Sequence, residues 1–244
     1  MSGNYRRRKK KKRITAVLSL LLFLAGAAYA AGVFGPFLST QLFPENTGSF
    51  AMEAISEYSG KPDLVLNGDV PFFSREDLKA EVFESYGELD YLGRCTAAYA
   101  CLGPETMPKE ERGEIGSIYP TGWKNARYEG IDREYLYNRC HLIGYQLTGQ
   151  NANERNLITG TRYMNTEGML PYENSVAQYI RGTGHHVLYR VTPVFEGRNL
   201  LASGVLMEAR SIEDPEVQFC VYCYNVQPGI EIDYKTGKSR KTGE

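Results

Sequence analysis

Apolar and polar positions are most regularly patterned in the last third of the chain. HVLYRVTPVF (186–195), LLASGVLMEARS (200–211) and VQFCVYCYNV (217–226) are rich in β-branched and aromatic residues, and Glu196-Gly197-Arg198-Asn199 separates the first two as a turn. The pattern predicts three strands. Pro193 cannot donate to a ladder, so its strand is expected at a sheet edge or with a bulge. Upstream, residues 94–102 are rich in small side chains and read as a buried strand, and residues 135–143 as a short strand ending in a turn. Helical spacing then takes over in residues 161–180 through Tyr163, Met164, Val176, Ala177 and Ile180, with Pro171 kinking that helix or starting a new one. Ser74 followed by Asp77 predicts a helix N-cap ahead of residues 77–86, where Leu78, Val82 and Phe83 share one face. Asn67-Gly68 predicts a turn or hairpin within residues 63–70, and residues 113–123 read as loop. The fold class expected is α+β, built around an antiparallel sheet.

The N-terminus has a different pattern. Eight consecutive cations, Arg6 to Arg13, precede residues 14–34, a run of 21 without a charge. As a helix that run would be about 30 Å long, enough to span a bilayer, with the basic end kept in the cytoplasm and the rest outside. Ala28-Tyr29-Ala30 has the form of a signal-peptidase site, but the apolar run continues to Phe34, which favours an anchor over release after Ala30. The organisation expected is a basic segment 1–13, a transmembrane or signal-anchor helix 14–34, a linker 35–60 containing Pro36, Pro44, Gly48 and Ser49, a globular domain 61–236 and a tail 237–244.

Charge complicates a functional reading. The whole chain has a formal net charge of −1, but without the eight N-terminal cations it keeps 20 basic residues against 29 acidic ones. Nucleic-acid binders usually present a basic surface, so such a function requires local clustering of the remaining cations. Five cysteines (95, 101, 140, 220 and 223) are an odd count for an exported protein, so at least one is free. Cys220 and Cys223 are half of a zinc pattern, but three apart on a strand they face opposite ways and read as buried small hydrophobes. The adjacent Cys140-His141 pair points apart for the same reason, which argues against a cysteine hydrolase. His185-His186 and Glu167 read as structural and solvated. Trp123 and the 18 tyrosines are expected mainly in packing, with some available to stack on single-stranded bases.

Chemistry concentrates between residues 138 and 174. Asn138, Arg139, His141, Asn156, Arg162, Asn165 and Glu173 stand among further amides. Amides are poor bases but good neutral ligands for hard cations. A histidine among amides, arginines and a carboxylate suits phosphodiester hydrolysis, which needs a base for water, a cation on the phosphate and donors to hold it.

NRCHLIGYQLTGQNANERNLITGTRYMNTEGMLPYEN resembles the core of the DNA/RNA non-specific endonucleases, a ββα-metal family, and in particular its streptococcal-type surface nuclease branch. Asn138-Arg139-Cys140-His141 stands at the family's Asp-Arg-Gly-His tetrad. Asn156 and Asn165, nine apart, resemble the two family asparagines, and Glu173, eight further on, resembles the helix glutamate. The resemblance runs over roughly residues 60–235. It implies a ββα-metal core, His141 as general base, Asn165 as ligand of Mg²⁺ (with Mn²⁺ as substitute), Glu173 behind the metal, and Arg139 and Arg162 on the phosphate. Asn156 would fix the site's loop or a phosphate. It also implies DNA and RNA as substrates and 5′-phosphate products; no obligate protein partner is evident in the sequence. Two positions depart from the tetrad, Asn138 for Asp and Cys140 for Gly. Neither removes a group assigned to bond making, so an active enzyme is expected. The alternative, a degenerate surface protein that holds nucleic acid for uptake, has Asn138 as its supporting feature. A toxin nuclease would need a delivery domain that this chain does not show.

Overall fold

The computed structural model describes residues 55–79 and 81–243, so the basic segment, the expected membrane helix and most of the linker lie outside the described residues. Among the described residues, no helix is long and apolar enough to cross a membrane.

The main sheet has six strands: β1 (Asp63–Val65), β2 (Phe83–Tyr86), β3 (Ala98–Leu102), β6 (Val187–Val194), β7 (Gly204–Ser211) and β8 (Gln218–Tyr224). They lie in the order β1-β8-β7-β6-β3-β2, every neighbour antiparallel. Between β3 and β6 the chain leaves this sheet to form a two-stranded ribbon, β4 (Tyr137–His141) and β5 (Leu157–Thr161). After β5 comes a π-helical turn (Met164–Met169) and then helix α2 (Leu170–Thr183); a short helix α1 (Tyr145–Thr148) lies between the ribbon strands. A hairpin of β9 (Ile230–Asp233) and β10 (Lys238–Lys241) follows.

Alternation places one side of the sheet under the ribbon and α2. Tyr189, Val191, Met207 and Val221 pack there with Cys140, Ile158, Val176 and Ile180. Leu206, Cys220 and Tyr222 turn the other way with Leu66 and Val194. Cys220 and Cys223 thus occupy opposite faces, and all five cysteines are free and buried.

Two expectations are corrected, those for residues 77–86 and for the strand of Pro193, while the turn at Asn67-Gly68 is present. Residues 77–86 form no helix: Asp77 Oδ2 accepts from Ser74 N–H at 2.8 Å, closing one turn, and Phe83–Tyr86 becomes an edge strand whose Phe83 ring meets Tyr99 at 4.9 Å. The exposed edge of β3 takes this strand as its partner, and tertiary pairing outweighs a weak helical spacing. The Asn67-Gly68 turn exists, with left-handed backbone at residues 67–69, but joins no hairpin. Val70 onward leaves the sheet, and Asp63–Val65 pairs instead with distant β8. β6 is an interior strand rather than an edge. Its partner β3 ends opposite Val191, however, so Pro193 lies where only β7 adjoins it. Ordered packing also extends past residues 61 and 236: Tyr58 meets Tyr224 ring to ring at 5.6 Å, and residues 238–241 form β10.

Candidate active site

The ribbon positions the site by alternation. Cys140 faces inward, where its Sγ lies 3.4 Å from Met169 Sδ and donates to Asn165 Oδ1 at 3.0 Å. Gly160 allows this, since a Cβ there would fall 2.7 Å from that of Cys140. Burial pushes the thiol's pKa far up, so it stays a donor. Thr161 Oγ1 accepts from Met164 N–H at 3.0 Å and starts the helical segment. Leu170 N–H bonds back to Asn165 O, an i→i+5 turn of the kind that recurs at functional sites. Asn165 sits on this widened turn and projects into a cleft.

His141 ends β4 and is 5% exposed. Its Nε2 lies 3.0 Å from the Asn151 carbonyl, which can only accept, so the ring proton is on Nε2 and Nδ1 carries the lone pair. Arg112 Nη2 approaches Nδ1 at 3.5 Å. Burial lowers the pKa of His141, the Asn151 carbonyl opposes that shift, and the Arg112 charge adds to it, so the ring is neutral near pH 7.

Glu173 lies in the first turn of α2, 9% exposed, with its carboxylate against Gly144: a Cβ there would fall 2.6 Å from Oε2. Burial raises its pKa to about 7, opposed by Arg112. Asn156 is fully buried and has no place in the cleft lining. Its Oδ1 accepts from Ile143 N–H at 2.9 Å and its Nδ2 donates to Ile143 O at 3.0 Å, so it holds the turn that follows His141.

The cleft has a volume of about 840 Å³ and brings Arg139, Arg162 and Asn165 together with Asn138. His141 borders it through Arg112. Four arginines, 112, 133, 139 and 162, line it against one acid, Asp132, which pairs with Arg162. That is the local cluster an acidic chain needs in order to meet phosphate. Asn138 Nδ2 and Arg162 Nε are buried there without a hydrogen-bond partner. Arg139 is less free than expected. Its Nε and Nη2 donate to the carbonyls of Ile118 and Gly116, and its guanidinium lies 4.2 Å from the Trp123 ring centre.

Arg112 and Arg133 have no counterpart in the sequence reading, and of the aromatic residues it left open for base stacking, Tyr119, Trp123 and Tyr135 line the cleft. Arg112 stands in a solvated-looking run, Lys109 to Arg112, and no local signal marks it. The Asn165 amide oxygen is a neutral ligand of the kind that suits a hard divalent cation, and Glu173 is not part of the cleft lining. Among the described residues no group of three or more His, Cys, Asp and Glu side chains could hold a metal ion.

Residues 76–213 match the model of the DNA/RNA non-specific endonuclease family. A deoxyribonuclease of Streptococcus dysgalactiae subsp. equisimilis is 32% identical over 171 residues, 68% of this chain and 46% of that protein, so the chain spans about half the length of this curated relative. Among solved structures, NucA from Streptococcus agalactiae with magnesium bound superposes with a TM-score of 0.67 at 23% identity, covering 76% of this chain and 89% of that one. The Sda1 nuclease with bound zinc gives a TM-score of 0.57 at 27% identity, over 66% and 81%. The chain belongs to the DNA/RNA non-specific endonuclease family.

Proposed function

We propose that this protein is a divalent-metal-dependent endonuclease that hydrolyses DNA and RNA phosphodiester bonds without sequence preference, leaving 5′-phosphates. The observation that carries this reading is His141: a neutral imidazole with its free lone pair on Nδ1, beside an arginine-lined cleft that contains Asn165. Water gives a proton to Nδ1 as its oxygen bonds to phosphorus, and the 3′ oxygen departs with the electron pair of its bond to phosphorus and takes a proton from solvent water. Arg112 leaves Nδ1 for the phosphate as the substrate enters, opening the base at the moment it is needed. Asn138 and Arg162, both in the cleft lining, supply hydrogen-bond donors to the phosphate. Asn165 Oδ1 would hold Mg²⁺ or Mn²⁺, with Glu173 behind it, and the cation would supply Lewis-acid stabilisation of the phosphate and departing oxygen. The magnesium in the S. agalactiae relative supports this reading.

We further propose that residues 14–34 anchor the chain and place the nuclease outside the cell, away from the genome. External protease should then degrade the domain in intact protoplasts. The catalytic test incubates the full-length chain with plasmid and RNA. Cleavage should vanish in EDTA and return with Mg²⁺, and Asn165→Ala should lose that metal response. Undiminished cleavage in chelator would overturn the scheme, while retained binding without cleavage would point to a protein that only holds nucleic acid.

A further inference from the structure

The cleft also carries a stack for which hydrolysis has no use. The Arg139 guanidinium carbon lies 4.2 Å from the ring centre of Trp123 and 5.0 Å from that of Tyr119. Two backbone carbonyls hold the guanidinium, so it is fixed rather than swinging. Trp123 is half-buried and seated against Leu136, Tyr137 and Leu201, which roots the stack in the protein. Tyr119 is 71% exposed and lines the cleft, so core packing does not explain it. The same cleft includes a second rim aromatic, Tyr135, 38% exposed and covered by Arg127 at 4.2 Å. The tight turn before it has left-handed backbone at two successive non-glycine residues, Arg133 and Glu134, and brings Arg133 into the lining. Such strain persists where the surroundings fix it, often at binding sites.

Rooted aromatics beside fixed cations form the arrangement that binds single strands, with bases stacking on rings and phosphates meeting the cations. A base inside a duplex has both faces covered by its neighbours and offers none to a protein ring. Resting on the nuclease reading, we propose that Tyr119, Arg139 and Trp123 form a base-stacking platform and that this enzyme prefers unpaired nucleotides over duplex. Tyr119 contributes the outer face, Arg139 the charged middle layer, and Arg133 and Arg162 meet the flanking phosphates.

Trp123 is the only tryptophan in the chain, so its fluorescence reports on the platform directly. The full-length protein is titrated in EDTA with a 12-nucleotide single strand, with a blunt hairpin duplex of the same sequence, and with the strand carrying abasic sites. The single strand should quench Trp123 and bind about tenfold more tightly than the duplex or the abasic strand, the scale of one stacked base. Tyr119→Ala should close that gap and Tyr119→Phe should keep it. With Mg²⁺ added, the ratio of kcat/KM for single strand over duplex should fall by the same factor in Tyr119→Ala and not in Tyr119→Phe. Equal binding of normal and abasic strands, or an unchanged ratio in Tyr119→Ala, overturns the platform. Base-dependent binding without any cleavage would refute the nuclease reading and leave the platform standing.

Discussion

The six-stranded sheet and the β4–β5 ribbon both enclose polar side chains, and they treat them differently. In the sheet, the fully buried Glu208 receives Arg190 Nε and Nη2 at 2.7 and 2.9 Å and Phe72 N–H at 2.8 Å. Around the ribbon, Asn138 Nδ2 and Arg162 Nε are buried with no partner. The sheet has an exception, the Tyr189 hydroxyl, and it too belongs to the ribbon's side: after burial, the Glu173 carboxylate contributes most to keeping its proton on. An unmet buried donor is costly, and both of these ribbon-side donors belong to residues that line the same cleft. On this comparison the sheet satisfies its buried charge, and the ribbon carries the residues to which the proposed chemistry is assigned.

The sharpest way to break the comparison is His141→Ala. It should lower kcat per folded molecule by roughly 10²–10⁴, the usual share of a general base, with nucleic-acid affinity close to wild type. Wild-type cleavage by the variant would remove His141 from the mechanism. Glu208→Gln should do the reverse. Loss of a buried charge partner costs about 3–5 kcal/mol, visible as a lower urea midpoint, while kcat per folded molecule stays within about twofold.

A finer test lies inside the ribbon. Asn156→Ala strands the N–H and C=O of Ile143 and should cost about 2–3 kcal/mol, with activity falling through misplacement of the turn after His141. Asn165→Ala, which faces the cleft and loses only the weak bond from the Cys140 thiol, should cost no more than about 1 kcal/mol. Equal destabilisation by both would mean that the two asparagines do one job.

The smallest effect is on pH. The pKa of His141 is held below its ordinary 6.5 by burial and then by Arg112. The folded ring therefore binds fewer protons than the unfolded one, so stability and rate are full above 6.5 and are lost only as pH falls through the lowered value. Arg112→Gln should move the acid limb of kcat/KM upward toward 6.5, and an unmoved limb would show that Arg112 does not act on the ring.

These contrasts were unequally legible in the sequence. The strands of residues 186–226 were readable because each is long and continuously apolar or alternating. The order His141, Asn156, Asn165, Glu173 was readable from spacing, although spacing could not separate Asn156, which bonds backbone, from Asn165, which faces the cleft. Residues 77–86 were misread because a short edge strand, exposed on one side, has too few buried positions to fix its period. Arg112, Tyr119 and Trp123 lie on the long segment between β3 and β4, where no periodicity tells which way a side chain points. The net acidity of the domain hid four arginines that only the fold gathers.

The seal on His141 Nε2 has a consequence for traffic through the site. An imidazole open on both nitrogens can relay, taking a proton at one and passing it out at the other. Here one exit is plugged by the Asn151 carbonyl. The ring is a cul-de-sac, and whatever enters at Nδ1 must leave by the same door. On the proposed mechanism the entrance therefore has to clear between rounds, and a ligand that lingers there would block the reset of the base as well as the binding of the next strand.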